Sequence, residues 1–242
     1  MGEMVDLGAH TPVQGASPGL TAYTTRPPGT ARLPGVVVVH EAFGLEDITR
    51  RQADHLASLG YVVIAPDLFT AGGARRCLKA TFAALRSGQG RAFQDIAAAR
   101  QWLLERDDTT DQVGIIGFCM GGAFALMSAA GRGFDVSSVN YGFLPRSPDV
   151  LTGACPVVAS YGGKDKALAG SAAKLEAQLT RLGVEHDVKE YPEAGHSFLN
   201  DAETGPWFVR PIFRVAGAGP EPASAADAWR RIEEFFARHL SR

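Results

Sequence analysis

Short apolar runs rich in β-branched residues recur along the chain. They alternate with stretches in which apolar residues return every three or four positions. Val36–His40, Tyr61–Ala65, Val113–Gly117, Ser138–Tyr141, Pro156–Tyr161 and Glu185–Tyr191 read as strands. The early ones are continuously hydrophobic, as a strand covered on both faces requires. Between them, Ile48, Ala53, Leu56, Ala57 and Leu59 mark a helix that Asp47 can cap and Gly60 ends. Phe93, Ile96, Ala97, Leu103 and Leu104 form a second stripe. Ala172-Leu175-Leu179-Leu182 and Trp229-Ile232-Phe236-Leu240 complete the set. This alternation predicts an α/β fold, a mostly parallel central sheet with helices on both faces. Phe69 to Gly90, broken by Gly72-Gly73 and Gly88, reads as irregular chain folded over a site. Gly217 to Pro222 reads as the loop before the last helix rather than a linker, so residues 1–242 are expected to form a single domain.

Composition narrows the partners. A chain of 242 residues can bury such a sheet without a disulfide or metal staple. A net charge of −2 leaves no electrostatic footprint for nucleic acid, and Arg50-Arg51, Arg75-Arg76 and Arg230-Arg231 are isolated pairs. The start lacks a secretory pattern, Asp6 spoils a myristoylation motif, and the most apolar window, Gly35–Val39, is too short to span a bilayer. Cys77, Cys119 and Cys155 lie far apart in no metal-ligand spacing, which points to reduced thiols and a cytoplasmic setting. His40-Glu41 is not a zinc motif, because the second histidine would fall on Gly44. The expected partner is a small molecule, with no cofactor, metal, nucleic acid or membrane, for a monomer or small homo-oligomer.

The chemistry centres on Gly117-Phe118-Cys119-Met120-Gly121. This is the nucleophile elbow G-x-S-x-G with cysteine for serine, placed between a predicted strand and a small-residue helix. A helix N-terminus behind Cys119 favours thiolate. Read alone, the pentapeptide equally describes an inert cysteine in a tight turn. Asp165 and His196 change the balance. They follow 46 and then 31 residues later, each on a loop past a predicted strand, in the order nucleophile, acid, histidine. His10, His55, His186 and His239 are worse placed to act as the base, and Cys77 and Cys155 read as packing residues. A second reading makes Cys119 a redox-sensing thiol on a non-catalytic fold, although no resolving cysteine is near in sequence. A dinucleotide-binding module fails on glycine spacing.

The runs His40-Glu41-Ala42-Phe43-Gly44, Pro66-Asp67-Leu68, Gly117-Phe118-Cys119-Met120-Gly121-Gly122 and Gly195-His196-Ser197-Phe198 resemble the dienelactone hydrolase family. The resemblance implies a single-domain α/β-hydrolase fold. It also implies hydrolysis of a small ester, lactone or thioester through a Cys119-His196-Asp165 triad, of carboxymethylenebutenolidase type or on a related carboxylic ester. Amides of Ala42 and Met120 would hold the oxyanion. In the family a glutamate at the position of Glu41 touches the resting thiol; otherwise Glu41 would cap the next helix or pair with Arg50. Authentic members grip a substrate carboxylate with two arginines. Here Asn200 stands where one is expected, and Arg75 and Arg76 are candidates for the other, so dienelactone itself is not expected as substrate. Residues 207–222, with Trp207, Phe208 and Phe213, read either as lining for a different pocket or as a surface loop with two buried aromatics.

Overall fold

The computed structural model describes residues 2–10, 13–205, 207–208, 210–211 and 217–240, apart from the side chains of residues 10 and 75. Eight strands form one sheet: β1 (Glu3–Asp6), β2 (Thr21–Thr25), β3 (Leu33–Val39), β4 (Val62–Pro66), β5 (Thr109–Phe118), β6 (Val136–Asn140), β7 (Val157–Gly162) and β8 (His186–Tyr191). Their order is β1-β2-β4-β3-β5-β6-β7-β8. The first two strands pair antiparallel, and β2 is antiparallel to β4. From β4 to β8 every neighbour is parallel. All six parallel strands therefore end on one edge, where loops carry residues 41, 119, 165 and 196.

The helices are α1 (Leu7–His10), α2 (Asp47–Ser58), α3 (Gly73–Ser87), α4 (Arg91–Leu104), α5 (Met120–Ser128), α6 (Ser171–Arg181) and α7 (Pro222–His239). Alternation along β3 separates two cores. Val36 and Val38 face a cluster with Leu56 of α2, Leu175 of α6 and Phe236 of α7. Val37 and Val39 face Phe93 and Leu103 of α4 and Phe124 of α5. Both clusters are buried, which explains why β3 had to be apolar at every position.

Three local expectations change. The segment 69–90 is not irregular: it holds α3, and the glycines stand at its ends. Gly72 is the N-cap and Gly88 the left-handed C-cap at φ 71°. Leu78, Phe82 and Leu85 are its apolar stripe, packed on the second core. Glu46, not Asp47, occupies the N-cap of α2, with no side-chain cap bond. Finally, β1 and β2 extend the sheet at one edge; four- and five-residue strands mixing polar and apolar positions carry too weak a period to read.

Candidate active site

Cys119 sits between β5 and α5 with φ 55° and ψ −116°. A side chain in that region costs about 1–3 kcal/mol, which the surrounding structure must over-determine. It does so through backbone contacts. The Cys119 amide donates to the Asn140 carbonyl at 3.0 Å, and the Cys119 carbonyl accepts from Ala123 at 3.3 Å. The flanking glycines are there because backbone approaches backbone. A Cβ on Gly117 would lie 1.9 Å from the Gly121 oxygen, and one on Gly121 would lie 2.0 Å from that of Val39. The elbow is thus clamped between β3 and β6, its sulfur raised over the sheet edge.

Asp165 follows β7 and opens a short 3-10 turn, Lys166–Leu168. Its Oδ1 accepts from the Ala167 amide at 3.1 Å, leaving Oδ2 to His196 Nδ1 at 2.5 Å. The histidine follows β8 on a loop that a second segment straps down. Gly219 N–H donates to the His196 carbonyl at 2.8 Å. Gly195 has no room for a side chain, since a Cβ would meet the Gly217 oxygen at 1.5 Å. The imidazole packs at 5.1 Å from the Tyr141 ring and hydrogen-bonds the Cys119 side chain. Burial pulls the imidazolium's pKa down. Hydrogen bonds with Asp165 and Cys119, together with their charges, outweigh burial and push it up to about 10. The structure therefore brings Cys119, His196 and Asp165 together at the sheet edge, with His196 hydrogen-bonded to Asp165 and lining one pocket with Cys119.

Glu41 ends the loop-side turn of β3 and is buried. Its Oε1 accepts from Ser197 Oγ at 3.0 Å and from Asn200 Nδ2 at 3.1 Å. Pairing with Arg50 does not occur; that guanidinium reaches Asp47 at 3.5 Å. Nor does Glu41 serve as the cap of α2, which is Glu46. Asn200 is more than a missing arginine. Its Oδ1 accepts from Gln52 Nε2 at 2.9 Å, and the Tyr141 hydroxyl lies 3.4 Å away. Tyr141 is itself buried, at φ 42°, and its hydroxyl also bonds Glu41. Burial, followed by the charges of Glu41 and Cys119, raises its pKa well above the ordinary phenol value. Sequence reading missed Gln52 and Tyr141. The signal for Tyr141 was present, because it ended a predicted strand on the active edge; Gln52 gave none.

His40 plays a supporting part. Buried and held neutral by desolvation, it donates from Nδ1 to the Glu41 carbonyl at 2.6 Å and accepts from the Leu68 amide at Nε2, 3.1 Å away. One imidazole thus ties the His40-Glu41 turn to the Pro66-Asp67-Leu68 turn.

A pocket of about 140 Å³ opens over the sulfur, lined among the described residues by Glu41, Ala42, Phe43, Cys119, His196 and Arg210, with others. Ala42 faces it, and Met120 is the first residue of α5, where helix geometry leaves an amide without an intrahelical partner. Cys77 and Cys155 do not line it. Burial pushes the Cys155 thiol up to about 12, so it stays protonated. Arg76 lines a separate cleft along α3, away from this pocket, and the Arg75 side chain lies outside the described residues. Trp207 and Phe208 are exposed rather than buried, at 80% and 62%, while Phe213 lies outside the described residues. From the same stretch, Arg210 reaches the pocket. Among the described residues no group of acidic, histidine and cysteine side chains could hold a metal, and no helix is long and apolar enough to cross a membrane.

Residues 20–240 match the dienelactone hydrolase family. The chain belongs to that family. A Yersinia pestis protein, named as a candidate carboxymethylenebutenolidase, is 30% identical over 91% of this chain and 84% of its own length. The carboxymethylenebutenolidase of Rhodococcus opacus is 28% identical over 85% and 81%. A crystal structure titled as a candidate dienelactone hydrolase, from Klebsiella pneumoniae, superposes with a TM-score of 0.78 at 24% identity, covering 98% of each chain. Membership of the dienelactone hydrolase family makes this protein a carboxylic ester hydrolase with an α/β-hydrolase fold.

Proposed function

We propose that the protein hydrolyses a small ester, lactone or thioester through a Cys119 acyl-enzyme. The observation that carries this reading is the series Asp165 Oδ2–His196 Nδ1 at 2.5 Å and His196–Cys119, aimed into a pocket at the parallel edge. His196 takes the proton of the Cys119 thiol, and the sulfur attacks the substrate carbonyl. The oxyanion that forms takes hydrogen bonds from the Ala42 and Met120 amides, a donor pair of the kind worth about 3 kcal/mol each. Collapse breaks the C–O or C–S bond, and the leaving alkoxide or thiolate takes the proton of His196. Neutral His196 then removes a proton from water, whose oxygen attacks the thioester. The carboxylate product leaves, and Cys119 and His196 regain their paired state. Asp165 keeps the imidazole oriented throughout.

Pocket size and charge bear on the substrate. The volume of about 140 Å³ suits a small acyl group. With Asn200 engaged by Glu41, Gln52 and Tyr141, Arg210 is, among the described residues, the arginine that lines the pocket, alongside the carboxylate of Glu203. The Arg210 Nε donates to the Gly205 carbonyl at 2.8 Å, which fixes the guanidinium at the rim. A substrate with a carboxylate would meet it there, on a different side from the arginine expected near the histidine.

The test is turnover of p-nitrophenyl acetate, a thioester and a small lactone by wild type and Cys119→Ala, with intact-mass detection of the acyl adduct. Loss of turnover by at least a thousandfold, with an adduct only on wild type, supports the reading. Unchanged hydrolysis by Cys119→Ala overturns it.

A further inference from the structure

A second groove, larger than the first, lies behind the elbow. It has a volume of about 420 Å³, within the range of pockets that hold small organic ligands. One wall is α3, which contributes Phe82 and Arg86; the other is the loop after β6, with Phe143 and Arg146; Ala123 and Met127 of α5 form its floor. Its apolar surface includes Phe143 and Val150, left 42% and 45% exposed. These exposed side chains border a concave apolar surface of the kind that small organic ligands occupy.

The charge at this groove is one-sided. Arg86 and Arg146 both line it, and among the described residues no aspartate or glutamate does. Neither guanidinium has a hydrogen bond or ion pair among the described residues. The nearest acidic residue in sequence, Asp149, is turned to Arg181 at 3.4 Å. Arg132 donates to the carbonyl of Gly88, one of the lining residues, at 2.7 Å. The wall helix α3 contributes Arg86 from its last turn, in a chain whose net charge is −2. Apolar walls lower the local dielectric and focus this positive potential into the groove.

We propose that this groove is a second binding site, for a small amphipathic anion: an aliphatic or aryl chain bearing a single carboxylate. The apolar walls take the chain, and Arg86 and Arg146 take the carboxylate by charge-assisted hydrogen bonds, for which the planar guanidinium is suited. The site does not depend on the Cys119 chemistry.

Decanoate binding to the full chain, measured by calorimetry and by displacement of 1-anilinonaphthalene-8-sulfonate, tests it. The protein used carries Cys119→Ala, so a failure of the hydrolytic reading leaves the result unaffected. One decanoate site is expected, with decanol at least tenfold weaker. Arg86→Gln/Arg146→Gln should weaken decanoate by at least tenfold while leaving the circular dichroism spectrum unchanged. Val150→Trp, which fills the groove from its exposed rim, should abolish binding and serves if the double variant does not fold. Equal affinity for decanoate and decanol, or unchanged affinity in both variants, overturns the proposal. So does loss of binding on Trp207→Ser/Phe208→Ser, which would move the site to that exposed pair. Sedimentation showing a dimer broken by Phe143→Ser would assign the groove to a second copy and also overturn it.

Discussion

Asp165 divides its carboxylate between two tasks: Oδ1 fastens the turn at Ala167, and Oδ2 holds His196 Nδ1 at 2.5 Å. The turn therefore fixes the carboxylate, and the carboxylate fixes the ring. Replacing it by asparagine should leave the turn capped, since the amide oxygen can still accept from Ala167. The remaining amide can present N–H₂ to Nδ1 and so favour the wrong tautomer. Asp165→Asn should lower kcat for p-nitrophenyl acetate by about 10³–10⁴-fold with an unfolding midpoint close to wild type. A drop of less than tenfold would separate Asp165 from the proposed chemistry.

The imidazole's own titration gives an independent check. Its pKa is raised from 6.5 to about 10, so the imidazolium contributes stability that is whole below about pH 6.5. That contribution is lost as pH rises through about 10. Two of the groups that raise it are on Cys119 and Asp165; burial alone would lower it. NMR of labelled histidine should show the His196 midpoint near 10 in wild type and a marked fall in Cys119→Ala and in Asp165→Asn. A midpoint near 6.5 in wild type would mean that the ring rests neutral beside the sulfur.

What the sequence made legible was whatever backbone geometry forces on residue choice. Gly117 and Gly121 could be read because the elbow brings carbonyls within 2.0 Å of where their side chains would be. β3 could be read because both its faces are covered, by Leu56 and Phe236 on one side and Phe93 and Leu103 on the other. Helix α3 was misread because a glycine looks the same as a breaker inside a segment or as a cap at its end, and only the flanking structure distinguishes them. The Glu41 cluster was legible in part. Glu41 and Asn200 stand at family positions, but the bonds from Asn200 to Glu41 and from Gln52 to Asn200 span 159 and 148 residues and leave no local pattern. Arg210 belongs to no motif or periodic stripe that would single it out in the sequence.

That cluster predicts a stability effect. Asn200 donates to Glu41 and accepts from Gln52, both buried. Asn200→Leu keeps the volume but strands the Gln52 amide and removes one of the side-chain donors to Glu41 Oε1. Leaving a buried polar group unsatisfied costs about 1–3 kcal/mol. Urea unfolding should show a loss of about 2 kcal/mol or more with an unchanged m-value. Gln52→Leu/Asn200→Leu should recover part of it, because the double change removes donor and acceptor together. An unchanged midpoint in Asn200→Leu would show that the cluster is wet and open.

The strap across the histidine loop is the last point at which geometry and rate can be separated. Gly219 holds the His196 carbonyl, Glu221 N–H reaches the Phe198 carbonyl at 3.2 Å, and Gly195 lies beneath Gly217. A methyl at Gly195 would stand 1.5 Å from the Gly217 oxygen, so either the strap or the loop must move. The strap joins α7 at its first turn, where Glu221 caps the amides of Ala223 and Ser224, and α7 keeps Ile232 and Phe236 in the core farther along. Displacement should therefore be local, and a misplacement near 1 Å at a reacting group costs about a hundredfold. Gly195→Ala should lower kcat by that order while KM and the urea midpoint shift little. If instead the midpoint collapses and the residual folded fraction retains wild-type kcat, the strap is a folding element, and the position of His196 is set by Asp165 and Tyr141 alone.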